Sequence, residues 1–121
     1  MIRKLFVAIF LPAFAVAAGA KGAVASGAPA GIVDAAKADA ARRSGLKGAQ
    51  LQVVSAEGVT WSDGGLGCPR KGVLYTQSLV PGYRVRLRVG KEVWDYHAGE
   101  RGAVMLCPAS QSHEPAPGGR D

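Results

Sequence analysis

The chain has 121 residues, with 15 Lys and Arg against 9 Asp and Glu, two Cys, and 48% hydrophobic residues. That length allows one small domain and excludes a multidomain enzyme or a large cofactor fold. The formal charge of +6 overstates the basicity of the folded part, because Arg3, Lys4 and Lys21 all stand in the N-terminal segment.

Arg3 and Lys4 precede an uncharged run from Leu5 to Ala18, followed by the small-residue sites Ala18-Gly19-Ala20 and Ala23-Val24-Ala25. A charged start, a short apolar stretch and a small-x-small site predict a secretory signal over residues 1–25, with the second site preferred. The apolar run falls short of the roughly 20 residues that cross a bilayer, so no integral span is expected after cleavage. Cleavage lowers the net charge from +6 to +3. Such a balance is common in soluble domains, and export separates the chain from chromosomes, so no nucleic-acid partner is expected. The expected location is the periplasm or the medium.

Residues 26–31 read as a Gly/Ala/Pro/Ser linker and residues 108–121 as a disordered tail, since neither can bury enough apolar surface to offset ordering. The predicted domain is therefore 32–107. Within it, Ile32 to Ser44 reads as a helix whose narrow apolar stripe is Ile32, Val33, Ala36 and Ala40. Asp34 is placed in the first turn and Arg42 and Arg43 in the last, with Gly45-Leu46 as a Schellman stop. So short a helix is marginal alone, and its stripe should pack on a sheet.

Leu51 to Ala56 and Val59 to Trp61 are β-prone, with a bend or bulge expected at Glu57-Gly58. Ser62 to Gly72 is a glycine-rich loop holding Cys68. Val73 to Val80 reads as a strand, Pro81-Gly82 as a type II turn, Tyr83 to Val89 as a strand, Gly90-Lys91 as a tight turn and Glu92 to His97 as a strand. A two-residue loop at Gly90-Lys91 pairs Val89 with Glu92, Leu87 with Trp94 and Val85 with Tyr96 on one face. On the other it pairs Arg88 with Val93, Arg86 with Asp95 and Arg84 with His97. Val104 to Cys107 supplies a short last strand. The fold class is α+β: one N-terminal helix on a small antiparallel sheet of about four strands.

Cys68 and Cys107 are the only cysteines, and in an exported chain they read as one disulfide, worth about 4 kcal/mol in the chain-entropy model. A metal set of Cys68, His97, Cys107 and His113 lacks the close ligand pairs of common zinc sites, and no C-x-x-C redox pair exists. No metal or other cofactor is expected. Trp61 and Tyr75 read as core or rim aromatics, and Gly64, Gly65, Gly67 and Gly72 as turn residues rather than a phosphate cradle. Asp63 is suited to capping its own loop.

Trp61-Ser62-Asp63, Leu66-Gly67-Cys68-Pro69, Tyr75-Thr76-Gln77, Pro81-Gly82-Tyr83-Arg84 and Tyr96-His97, with a late Cys107, resemble a group of small secreted bacterial proteins. Members carry W-x-D-x-x-L-G-C-P, then Y-T-Q-x-x-x-P-G-Y-R, then Y-x-Y-H. The resemblance covers about Asp34 to Cys107, with Trp94 where the pattern has a Tyr. It implies the domain boundaries and the pairing of the two cysteines, and it supplies no reaction.

The expected function is a non-enzymatic binding or inhibitor-like module. Its candidate surface is Asp63, Arg70 and Lys71 of the glycine-rich loop beside the cationic sheet face of Arg84, Arg86 and Arg88. The partner would be an envelope protein. An alternative is an envelope-surface protein whose arginine row meets anionic lipid or cell-wall polymer. A small hydrolase built from Asp63, His97 and Ser62 or Ser78 is the weakest reading, because no nucleophile elbow is present.

Overall fold

The computed structural model describes residues 27–118. The predicted signal segment 1–25 lies outside them. One helix, α1 (Ala30–Ser44), packs on a four-stranded antiparallel sheet of β1 (Leu51–Trp61), β2 (Val80–Val89), β3 (Glu92–Gly99) and β4 (Val104–Cys107), in the order β1-β2-β3-β4. The architecture is α+β.

Helix α1 buries Ile32, Ala36 and Ala40, and the two alanines bring its backbone close to the sheet. It begins two residues before Ile32, on Pro29, so Asp34 falls outside the first turn. Gly45 ends it in the left-handed region at φ 74°, which glycine adopts without the Cβ penalty. Its N–H donates to the Ala41 carbonyl at 2.9 Å, while the Leu46 N–H turns to the Ser44 hydroxyl at 3.0 Å. The stop is thus the simpler αL motif rather than a Schellman pair. Beneath the helix lie Leu51, Val85, Leu87, Val89, Tyr96 and Ala98, forming the main core.

The Gly90-Lys91 hairpin has the predicted register on both faces, Val89 to Glu92 through Arg84 to His97. Strand β1 differs from expectation. It runs unbroken through Glu57 and Gly58, and its irregularity falls at Val54, between the Val53–Leu87 and Ser55–Arg86 pairs. One extra residue reverses which face the following side chains meet. Leu51 and Ala56 therefore join the helix-side core, while Val59 and Trp61 are buried outside it.

Because β1 continues as far as Trp61, β2 begins at Val80 to pair with it. Pro81 sits opposite Thr60 and Gly82 opposite Val59 within the ladder, correcting the predicted turn. The β3 ladder ends at Gly82–Gly99, so the missing N–H of Pro81 removes no bond on that side. Residues 73–79, predicted as strand, form no strand. The inner edge of β1 is taken by β2, and this segment continues the glycine-rich loop as an arm.

Cys68 and Cys107 form a disulfide with a Cα–Cα distance of 5.8 Å across a separation of 39 residues, which ties that loop to the end of β4. The flanks differ from the expected disorder. Gly27 bridges Glu57, and Ala28 donates to the Ala56 carbonyl at 3.2 Å. Residues 108–118 return over the sheet face opposite the helix. There the His113 N–H meets the Gly67 carbonyl at 2.7 Å, and the Ala116 N–H meets the Thr60 carbonyl at 2.8 Å.

Candidate functional site

The sheet face opposite α1 carries the motif residues Trp61, Gly82, Arg84 and His97, while Tyr83 and Tyr96 face the helix-side core. Trp61 stacks on His97 with ring centroids 4.3 Å apart, and its indole N–H donates to the Ala98 carbonyl at 3.1 Å. Gly82 lies against this indole: a Cβ there would stand 2.7 Å from the indole nitrogen and collide with the Ala98 carbonyl. Gly67, at φ 70°, approaches the other end of the same ring. Trp61, Gly67, Gly82 and His97 are thus mutually dependent packing groups, which accounts for the motifs in structural terms.

His97 is fully buried. Its Nδ1 lies 2.7 Å from the Leu66 carbonyl, which only accepts, so Nδ1 is the donor there. Its Nε2 faces the Asp95 carboxylate at 2.9 Å and the Ser112 hydroxyl at 3.3 Å. Asp95 also accepts from Nε and Nη2 of Arg84, each at 3.0 Å, and from the Ser112 hydroxyl at 2.8 Å. The outer arm of Arg84 reaches Glu114 at 2.8 Å. Burial raises the Asp95 carboxyl, but hydrogen bonds from His97, Arg84 and Ser112 outweigh it and hold the group well below the usual carboxylate range. Bonding to Asp95 and Glu114 likewise holds Arg84 above its ordinary value, against its own desolvation.

This set contains a Ser, a His and an Asp without the geometry of a catalytic triad. In a triad the carboxylate orients one ring nitrogen and the other serves the hydroxyl. Here the carboxylate and the hydroxyl converge on Nε2, and Nδ1 is committed to a backbone carbonyl. The hydrolase set considered from sequence is not assembled either, since the His97 partners are Asp95, Leu66 and Ser112. Both thiols of the conceivable metal set are consumed in the disulfide.

The structure divides the predicted binding surface. Asp63 caps its own loop, accepting from the Gly65 N–H at 2.8 Å. Arg70 and Lys71 stand exposed on a turn closed by the Val73 N–H to the Arg70 carbonyl at 3.2 Å. The arginine row is not a free cationic face. Arg84 is buried beneath the tail, Arg86 pairs with Glu57 at 3.3 Å and Ser55 at 3.0 Å, and Arg88 is left exposed. Cross-strand alternation places all three on one face, but the diagonal carboxylate of Asp95 and the returning tail neutralise most of it.

Two features escaped the sequence reading. Ser112 and Glu114 lie in a segment whose composition signals only disorder, so their partnership with Asp95 and Arg84 had no local signature. The arm of residues 69–79 exposes Val73, Leu74 and Leu79 at 49%, 98% and 66%. It is braced by the Arg70 N–H to the Tyr75 hydroxyl at 2.9 Å and the Gly64 N–H to the Thr76 carbonyl at 2.9 Å.

No curated protein and no solved structure matches the chain. A family model described as a domain of unknown function, DUF8738, matches residues 33–107. That span holds the helix from its first turn, the whole sheet, both cysteines and every motif residue of the Trp61–His97 cluster, and the chain belongs to this family.

Proposed function

We propose that the chain is an exported, disulfide-stapled, non-enzymatic binding module that meets an envelope protein through the arm of residues 69–79. The observation carrying this reading is the exposure of Val73, Leu74 and Leu79 beside Arg70 and Lys71 on a braced loop. Clustered exposed aliphatics on a small protein mark interaction surfaces, and a tethered loop loses less entropy on binding than a free one. Residues 69–79 carry two cations and no acid, which favours a partner with an acidic rim around an apolar groove. Export is supported by the signal-like segment together with a disulfide, a bond that persists in oxidising compartments. No helix of the described residues is long and apolar enough to cross a membrane.

The test is capture from periplasmic extract with the full chain, with Leu74→Asp, and with Arg70→Ala/Lys71→Ala. Proteins retained by the wild type and lost with both variants support the arm. An identical set from all three, or nothing above control with the wild type, refutes it. Co-sedimentation with anionic vesicles that follows the same variants would replace the protein partner with a lipid surface.

A further inference from the structure

The tail segment 108–118 behaves as a ligand of the domain it follows. Its grip on the sheet face alternates side chain and backbone: Ser112 hydroxyl to Asp95, His113 N–H to Gly67, Glu114 carboxylate to Arg84, Ala116 N–H to Thr60. The groups that receive it all lie inside the family match of residues 33–107, and the segment lies beyond it. The receiving surface therefore lies within the family domain of this chain, whereas its occupant lies in the flanking segment.

The occupant fits only part of the surface. Glu114 stays 81% exposed while it touches Arg84, and so solvated an ion pair contributes little. Next to it opens a cleft of about 450 Å³, bordered on the domain side by Arg84, Val93 and Cys107 and met from the tail by Pro108 and Ala109. Such a volume lies in the range of ligand pockets, and the half-exposed Val93 beside one preset arginine suits an apolar group linked to an anion. The arginine is already oriented through Nε and Nη2 by Asp95, leaving Nη1 for an incoming carboxylate that need not order it.

We propose that this face is a peptide-docking site, held in cis by the tail and taken in trans by a partner's acidic peptide. That peptide carries a bulky apolar residue at the position of Ala109, a hydroxyl at that of Ser112 and a carboxylate at that of Glu114. The tail is the weaker, tethered competitor, and its local concentration keeps the site closed until the partner arrives. This site uses none of the arm residues and is independent of the arm's partner.

The test uses the full oxidised chain and fluorescently labelled peptides, read by anisotropy. The probes are the tail's own sequence from Ala109 to Gly118, the same peptide with Glu114→Gln, and the same peptide with Ala109→Leu. Weakening the cis occupant with Ser112→Ala/Glu114→Ala in the chain should tighten binding of the first peptide about tenfold relative to wild type. On that variant the Gln peptide should bind about threefold more weakly, as befits so exposed a pair, and the Leu peptide about tenfold more tightly as the side chain enters the cleft. Glu114→Ala alone, altering an exposed side chain, serves if the double variant is unstable. No binding of any peptide to the weakened chains, or equal binding of the Glu and Gln peptides, would overturn the proposal.

Discussion

Replacing Gly82 by Ala tests whether the Trp61–His97 cluster is the second packing centre of the domain. The added methyl would lie 2.7 Å from the indole nitrogen and 2.8 Å from its neighbouring carbon, and would collide with the Ala98 carbonyl. Neither side can yield cheaply, since Ala98 is held in the β2–β3 ladder and Trp61 is fully buried against His97. Overpacking of this kind costs about 1–3 kcal/mol. Pushing the indole off the Ala98 carbonyl adds about 1–3 kcal/mol for a buried donor without its acceptor. The expected loss is about 2–6 kcal/mol, or at least about 8 °C in Tm for a chain of this size. Gly31→Ala is the control: nothing lies within 4 Å of its Cβ position, and it should stabilise by about 0.5–1 kcal/mol through helix propensity. Urea and thermal unfolding followed by tryptophan fluorescence would measure both. A Gly82→Ala chain within about 1 kcal/mol of wild type would show that the cluster is loose and refute the reasoning.

Opening the disulfide, by reductant or by Cys68→Ser/Cys107→Ser, should cost about 4 kcal/mol given its 39-residue span; paired denaturant curves with and without reductant measure this. Asp95→Asn leaves Arg84 without the carboxylate beneath it and should cost about 3 kcal/mol. Its folded carboxyl titrates below the ordinary value of 3.8, so the wild-type contribution is complete above that value and declines as the pH falls beneath it. The variant should show a flatter acid limb in a pH series of unfolding curves. Tyr96 is shifted the opposite way: burial and its hydrogen bond to Asp39 raise the phenol above its ordinary value of 10.0. Its contribution is complete below pH 10 and is lost as the pH rises beyond it, so Tyr96→Phe should reduce the alkaline loss of stability in the same series.

Much of the domain is legible because it is encoded locally. Gly90 with φ 62° closes a two-residue hairpin, and the alternation of Leu87, Val85, Trp94 and Tyr96 against Arg84, Arg86 and Asp95 then admits one register. Gly45 stops the helix through its own backbone freedom, and two cysteines in one small domain have only each other. Asp63 caps its loop from two residues away, a reach that sequence spacing reveals directly.

What the sequence could not display is competition between segments distant along the chain. Val73 to Val80 has strand composition, yet β2 extends along the inner edge of β1 and draws Pro81 and Gly82 into the sheet. The extra residue at Val54 decides which face receives Trp61, and no local feature distinguishes that position from Glu57-Gly58. The arginine row is read correctly as one face of a strand, but its availability is set by Asp95 across the hairpin and by Glu114 thirty residues onward. Backbone pattern fixes the direction in which a side chain points. Only the packed structure decides what it meets, because burial and charge pairing depend on whichever segment arrives last at the same surface.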